Sequence, residues 1–195
     1  MGRTREFDED AVLGDAMHAF RRKGYQGVSI RDLEEATGIA AGSIYNAFGD
    51  KAGLFEAAFA HYNQAVLGGR LDRHAPPSAG IGGVREVFRS LMHEPDGGSY
   101  GCLITNAAVE LGGEGDPHPR VRDGLDLLAR TFAERLASAE AGGVVTSVGD
   151  PDVTAVKLLA LYQGILVLVR AGYDKGALEA LVDAEFDALD ASHDA

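Results

Sequence analysis

Residues 29–51 read SIRDLEEATGIAAGSIYNAFGDK, and this stretch decides the fold. Ser29 with Asp32 three positions later is the pattern of a capping box, which predicts that a short helix covers residues 30–36. The tripeptide TGI that follows is a turn, and the next apolar spacing predicts a third helix at residues 41–48. Two short helices joined by a tight turn that contains glycine are typical of a helix-turn-helix.

Helical spacing of apolar residues continues on both sides of this stretch. Upstream, apolar residues recur at positions 12, 16 and 20, behind an Asp8 that is placed to cap the first helix. A basic triplet followed by Gly24 closes that helix, because cations and a glycine both suit a helix C-terminus. Downstream, Asp50 is placed to cap a fourth helix that extends to residues 68–69.

The rest of the chain has few alternating β-branched runs, so the sequence predicts an all-α fold. A segment rich in proline, glycine and serine, residues 72–83, is predicted as a loop. Further helices are predicted at residues 84–93, 102–111, 120–141, 152–171 and 175–191, which gives about nine in all. We expect a three-helix helix-turn-helix domain at residues 1–49 and a helical bundle at residues 50–195.

Composition restricts the class of protein. The chain has 195 residues, 46% of them hydrophobic and 25% charged, as in soluble globular proteins. Its formal net charge of -12 excludes a polybasic nucleic-acid coat. The single Cys102 cannot form an intrachain disulfide, and the longest apolar run, residues 158–169, is shorter than the roughly 20 residues that span a bilayer. We therefore expect a cytoplasmic protein with no membrane partner.

Signals for catalysis are weak. Residues 97–101 match the G-x-S-x-G pattern, but Ser99 is not preceded by the strand that a nucleophile elbow requires. The six histidines have no close metal-ligand spacing, and no glycine run is followed by a phosphate-binding lysine. The sequence predicts no enzyme, no metal site and no cofactor.

Residues 7–60 closely resemble the TetR family of bacterial transcriptional regulators. The resemblance is carried by residues 20, 24–25, 28–33, 36–39, 42–45, 48–51 and 54–55. It implies a homodimer that binds double-stranded palindromic operator DNA with its helix-turn-helix and represses transcription until a small molecule binds the C-terminal domain. The chain departs from the common pattern where Ala40 and Ala41 replace polar residues at the start of the recognition helix, so fewer base contacts are expected there.

The third helix has one face suited to a major groove. At about 100° per residue, Ile44 and Phe48 point inward while Gly42 and Asn46 point outward. Asparagine can bond an adenine edge in a bidentate manner, and glycine lets the backbone approach the bases. Tyr45 lies on the flank, where the alternative is a buried aromatic with a satisfied hydroxyl.

Lys51 stands in the first turn of the fourth helix, where the helix dipole disfavours a cation. An external phosphate explains it better than helix stability does, and the resemblance places a phosphate-contacting lysine at this position; the alternative is a solvated surface lysine. The predicted DNA contacts are Arg3, Arg5, Ser29, Arg31, Ala41, Gly42, Ser43, Tyr45, Asn46 and Lys51.

The charge of the N-terminal region keeps a second function open. Residues 1–56 hold seven basic and ten acidic residues, a net charge of -3, which is unusual for a DNA-binding domain. The alternative is a helical ligand-binding or enzymatic protein that no longer binds DNA. If the chain does bind DNA, its few cations and the amides at helix starts must be concentrated on one surface.

The C-terminal two thirds are expected to bind the effector and to dimerise. Aromatic, polarizable and polar side chains typical of ligand pockets are the candidate effector contacts, although each is more often plain core: Phe88, Met92, Tyr100, Cys102, Asn106, Phe132 and Tyr162. No cation lies near Cys102 in sequence to stabilise a thiolate, which favours a buried apolar role for it. The last two helices carry more apolar surface than one hairpin buries, so they are the predicted dimer interface, with Leu158, Tyr162, Ile165, Leu166, Leu181 and Phe186 in it.

Overall fold

The computed structural model describes residues 7–93, 101–112, 118–145 and 150–190. Four residues singled out above, Arg3, Arg5, Ser99 and Tyr100, lie outside these ranges. All regular structure within the ranges is helical, which confirms the predicted all-α fold.

The described residues form ten α-helical segments. These are α1 (Glu9–Gly27), α2 (Ile30–Thr37), α3 (Ala41–Phe48), α4 (Lys51–His61), α5 (Gly69–His74), α6 (Gly80–Ser90), α7 (Leu103–Leu111), α8 (Pro119–Ala141), α9 (Pro151–Arg170) and α10 (Lys175–Asp190). A π-helical segment, Tyr62–Gly68, joins α4 to α5 without interruption. If α4, the π-helical segment and α5 are counted as one continuous helix, the described ranges contain nine helices, which is the number predicted.

The first, second and fourth helices begin at the caps that the sequence predicts. The Asp8 side chain accepts hydrogen bonds from backbone N–H groups in the first turn of α1, and the Asp50 side chain accepts one from the first turn of α4. At α2, Ser29 Oγ accepts the Asp32 N–H at 3.2 Å and Asp32 Oδ2 accepts the Ser29 N–H at 2.8 Å, which completes the capping box. Each cap satisfies amides that have no partner inside the helix.

The predicted loop at residues 72–83 is wrong for most of its length. The α5 helix extends through His74, a 3-10 turn covers Pro77–Ala79, and α6 begins at Gly80 rather than at residue 84. Glycine has a low helix propensity, but here the helix buries Ile81 and Val84 on one side. Tertiary packing therefore overrides the local signal of the glycines.

The chain divides into two compact units. Unit 1 comprises Met1–Leu67 and Cys102–Asp123, so α7 belongs with the N-terminal helices. Its centre is aromatic: Phe20 meets Phe55 edge to face, with ring centroids 4.9 Å apart, and Leu33 and Ile44 are fully buried. These contacts fix α1, α2, α3 and α4 against one another.

Unit 2 comprises Gly68–Gly101 and Gly124–Ala195. Its core is a cluster of rings around Phe88, whose centroid lies 5.7 Å from that of Phe132 and 5.4 Å from that of Phe186. On the surface, Asp183 of α10 receives hydrogen bonds from Arg89 and Arg85 of α6, and these hold the pKa of its carboxyl below its ordinary value. Unit 2 thus combines an apolar core with a charged link between α6 and α10.

Of the described helices, α9 alone is long and apolar enough to cross a membrane, with a mean hydropathy of 1.7 over an 18-residue window. One such helix is weak support for a membrane span, because the core helices of soluble proteins have the same length and composition. Leu158 and Ile165 of α9 are fully buried inside unit 2, as expected of a core helix.

The close approach of α5 and α6 predicts a position where alanine is not tolerated. A Cβ on Gly83 would lie 2.6 Å from the His74 carbonyl oxygen and 2.9 Å from Ala75 Cα, whereas a Cβ on exposed Gly82 meets nothing within 4 Å. We expect Gly83→Ala to lower the free energy of unfolding by about 1–3 kcal/mol through overpacking. Gly82→Ala, the matched control in the same helix, should raise it by about 0.5–1 kcal/mol. Urea unfolding measures both, and equal effects would contradict the proposed clash.

The capping box predicts a dependence of stability on pH. Hydrogen bonds from Lys23 and then from Ser29 hold the pKa of Asp32 far below its ordinary value of 3.8. A lowered pKa in the folded state means that the stabilisation is complete above the unfolded value and is lost as the pH falls below it. The stability difference between wild type and Asp32→Asn should therefore be constant from pH 7 to about pH 5 and shrink near pH 3. Exposed Asp15→Asn is the charge-matched control, and an Asp32→Asn difference unchanged at pH 3 would contradict this account.

Candidate DNA-binding surface

The third helix, α3, separates its side chains as the sequence indicates. Ile44 is fully buried, whereas Gly42, Tyr45 and Asn46 are exposed. Tyr45 is 48% exposed, which excludes the alternative of a buried aromatic. The flanking residues Ser43 and Phe48 are partly buried, and Phe48 lies against Phe7 with ring centroids 6.5 Å apart. The helix thus presents a polar outward face on an apolar base.

Gly42 is not required by packing inside the protein. A Cβ at this position would meet nothing within 4 Å, and the residue lies within regular helix. Glycine in an exposed helix costs roughly 0.5–1 kcal/mol relative to alanine. The absence of a side chain at Gly42 therefore leaves room for an external surface to approach the backbone.

The start of α3 is capped by another helix. Ala40 supplies no side-chain cap, but the Ala41 N–H donates to Glu34 Oε1 of α2 at 2.7 Å. A carboxylate at a helix N-terminus is favourable both as an acceptor and in the field of the helix dipole. This bond fixes α3 on α2, and it means that the Ala41 amide already has a partner within the protein.

Two predicted contacts lie at the start of α2. The Ser29 hydroxyl is occupied in the capping box, where it also donates to Asp32 Oδ2 at 2.6 Å. Arg31, two residues later, is exposed. The serine therefore serves the helix start, and the arginine provides the positive charge available to an anion there.

Lys51 has partners inside unit 1 that the sequence argument did not anticipate. Its Nζ donates to the Val28 carbonyl oxygen at 2.7 Å and lies 4.5 Å from the centroid of the Tyr25 ring. These contacts explain a lysine at a helix N-terminus without an external anion. An ammonium group has three donors, so the internal hydrogen bond to Val28 leaves two for a phosphate.

The α7 helix forms hydrogen bonds to the C-terminal part of α1, and the sequence did not predict them. Glu110 accepts the backbone N–H groups of Tyr25 at 2.7 Å and Gln26 at 2.6 Å, and the Asn106 amide donates to the Arg21 carbonyl oxygen at 3.1 Å. Asn106, which is predicted to contact an effector, thus lies against α1 in unit 1. No local pattern signals these bonds, because about 85 residues of sequence separate the partners.

The structure divides the predicted effector contacts between the two units. Phe88, Met92, Phe132 and Tyr162 lie in unit 2, where all four are at most 1% exposed and the three rings pack within 5.6–6.1 Å of one another. Cys102 and Asn106 lie in unit 1. Cys102 is buried, with its Sγ 3.3 Å from the Tyr62 hydroxyl oxygen, in agreement with the expected buried role.

Most of the predicted dimer residues are used inside unit 2 itself. Leu158, Tyr162, Ile165, Leu166 and Phe186 are 0–5% exposed, and only Leu181 of the predicted set has an open side chain, 43% exposed. The large apolar residues that α9 does expose are valines: Val153 at 66%, Val156 at 59% and Val167 at 51%. The apolar face left for a partner is thus a different one from the face predicted.

Two family models cover most of the chain. Residues 12–58 match the model described as bacterial regulatory proteins of the tetR family, which covers α3 and its exposed face. Residues 81–184 match the tetracyclin repressor-like C-terminal domain, more than half of the chain.

Relatives and solved structures agree with these matches. The uncharacterized HTH-type transcriptional regulator YezE of Bacillus subtilis is 33% identical over 113 residues, 56% of this chain and 58% of the relative. The HTH-type transcriptional repressor ComR of Escherichia coli is 27% identical over 88% of this chain and 83% of its own. A cysteine mutant of the TetR family transcriptional regulator CifR, solved with a 26 bp double-strand operator, is 30% identical with a TM-score of 0.77, over 96% of this chain and 100% of that one. The chain belongs to the tetR family of bacterial regulatory proteins.

Proposed function

We propose that this protein is a transcriptional repressor that binds a palindromic operator as a homodimer and is released by a small molecule. The observation that carries the proposal is the outward face of α3, where Gly42, Tyr45 and Asn46 are exposed while Ile44 anchors the helix. A rigid helix with an open polar face is what major-groove reading requires. Asn46 supplies a bidentate group for an adenine, and Gly42 lets the backbone come close to the bases.

The relatives support this assignment. The solved CifR mutant is bound to operator DNA, and the ComR relative is a repressor. We transfer operator binding and repression to this chain on the strength of the shared helix-turn-helix region and the overall likeness. Tetracyclin repressor-like proteins are regulators, so the proposal contains no catalytic step and places the protein in the cytoplasm with its DNA.

Charge decides how such a protein must bind. With a net charge of -12, the whole chain repels DNA at long range, and affinity must come from local contacts. Arg31 at the start of α2 and Lys51 at the start of α4 provide cations near the reading helix, and Arg3 and Arg5 of the N-terminal segment are proposed to add more. Few phosphate contacts imply a shallow dependence of affinity on salt.

The homodimer is assigned to the exposed apolar faces of α9 and α10. Val153, Val156 and Val167 of α9 recur at helical spacing, and Gly164 is exposed on the same side. Leu181 of α10 is the predicted interface residue that this assignment retains. Two such hairpins can pack as a four-helix bundle, which covers valines that a monomer would expose to water.

The effector is assigned to unit 2. The rings of Phe88, Phe132 and Tyr162 supply apolar surface, and Arg70 Nη1 donates to the Tyr162 hydroxyl oxygen at 3.2 Å. An apolar surround with a few polar groups is typical of small-molecule sites. Because these rings are packed against one another, an effector that enters among them must separate them, and its binding energy then favours a second conformation.

The first prediction of this function concerns DNA. Purified protein should select a palindromic consensus from random duplex DNA, and on that duplex Asn46→Ala should relax preference at one base position, at a cost of about 1–3 kcal/mol. Lys51→Ala should weaken binding to all sequences alike and lower the slope of log affinity against log salt by about one contact per subunit. Asp15→Asn, which removes an exposed charge on α1, is the control. Recovery of no consensus, or no shift of any fragment at low salt, would favour a helical protein that has lost DNA binding.

The second prediction concerns assembly. Val167→Glu places a charge on a side chain that is 51% exposed in one chain, so each chain should still fold while the dimer dissociates. Val144→Glu, at a similarly exposed valine outside α9 and α10, should leave the dimer intact. Sedimentation at micromolar concentration measures the mass, and a dimeric Val167→Glu protein would contradict this interface.

A further inference from the structure

The carboxylate of Glu110 on α7 binds two backbone N–H groups near the C-terminal end of α1. Its Oε2 accepts the Tyr25 N–H at 2.7 Å and its Oε1 accepts the Gln26 N–H at 2.6 Å, so both oxygens are used. Bonds from amides to an ionised carboxylate are roughly twice as strong as bonds between neutral groups. We call this pair of bonds the Glu110 clamp.

Gly24 fits the clamp in two ways. Its φ of 76° lies in the left-handed region, and this breaks the regular helix just before the two clamped amides. A Cβ at Gly24 would also lie 2.7 Å from Glu110 Oε2, so a side chain there would push the carboxylate away. The glycine that sequence analysis assigned to a helix end therefore also makes room for an acid from α7.

The clamped segment, residues 24–29, consists of the last residues of α1, from the break at Gly24 onward, and the two residues that lead into α2; we call it the α1–α2 junction. This junction holds the start of α4, because Lys51 Nζ donates to the Val28 carbonyl oxygen at 2.7 Å and lies over the Tyr25 ring. It also ends at Ser29, the cap of α2. The Glu110 carboxylate thus fixes the α1–α2 junction, and the position of Lys51, a proposed phosphate contact, depends on this junction.

We propose that Glu110 is a positioning residue for DNA binding, which holds the α1–α2 junction so that Lys51 and the start of α2 face the phosphates correctly. This inference rests on the DNA-binding function proposed above. Glu110 touches no DNA in this account and acts through Tyr25 and Val28.

The alternative is that Glu110 only stabilises unit 1. A purely stabilising residue lowers the unfolding temperature when it is replaced, but in folded protein its replacement leaves the contribution of Lys51 unchanged. A positioning residue makes the contribution of Lys51 depend on the clamp. Effects of independent residues on affinity multiply to within about twofold, so a double-mutant cycle separates the two accounts.

The test uses Glu110→Gln, Lys51→Ala and the double variant in the full chain, with Asp15→Asn as the charge-matched control. In Glu110→Gln the new side-chain amide offers one acceptor oxygen and places its NH2 against the second N–H, so one clamp bond is lost without a change of shape. The probe is a duplex carrying the consensus selected by the wild type, used at two salt concentrations. Circular dichroism at the assay temperature identifies the folded variants.

We expect Glu110→Gln to weaken binding at least as much as Lys51→Ala does, about tenfold for the loss of one charged hydrogen bond to a phosphate, because the glutamate acts through that lysine. The double variant should then bind DNA no more than about twofold more weakly than Glu110→Gln alone, because the lysine is already misplaced in Glu110→Gln. The salt slope of Glu110→Gln should fall toward that of Lys51→Ala, although no cation has been removed. Asp15→Asn should bind at least as well as the wild type.

The inference is overturned if Glu110→Gln is folded and binds as the wild type does, or if the two single effects multiply in the double variant. Hydrogen exchange tests the clamp in the wild type, without any variant. The Tyr25 and Gln26 amides should exchange slowly. Exchange at the rate of an unstructured peptide would show that the clamp does not form in solution and would overturn the inference. Failure of the wild type to bind any duplex contradicts the DNA-binding proposal instead, so the two failures are distinguishable.

Discussion

Edge-to-face packing of Phe20 on Phe55 is the contact on which the DNA-binding unit depends. The ring centroids lie 4.9 Å apart, and Phe55 continues the stack to Phe59 at 5.5 Å. These ring contacts hold α1 against α4. The α2 and α3 helices have eight residues each, too few to be stable alone in water, and they persist because Leu33 and Ile44 are fully buried. The open face of α3 is therefore held by apolar contacts made on its opposite side.

Local chemistry is what the sequence predicted well. The caps at Asp8, Ser29 and Asp50 and the outward face of Asn46 each depend on residues within about four positions, where geometry follows directly from the spacing. Family membership was likewise predicted from residues clustered in one short region, and the family models confirm it. The extent of α6 was not predicted, because its helical conformation rests on burial of Ile81 and Val84 rather than on helix propensity.

The inner and outer faces of α9 could not be separated in the same way. This helix carries apolar residues around most of its circumference, so Leu158 and Val156 look alike in the sequence although one is fully buried and the other 59% exposed. Periodicity identifies a face only when the opposite face is polar. Sequence spacing gives no signal of contacts between distant polar groups, which is why the bonds from Glu110 and Asn106 to α1 were not predicted.

An acidic DNA-binding protein depends more on where its cations are than on how many it has. Long-range attraction is absent at a net charge of -12, so each phosphate contact must form at short range and at low entropic cost. A free lysine side chain loses about 2 kcal/mol of rotamer entropy when it is fixed. Lys51 is already held by the Val28 carbonyl and the Tyr25 ring, so much of that cost is met during folding rather than on binding. Where Lys51 contacts a phosphate as proposed, the internal bond that occupies one of its donors lowers the entropic cost of that contact.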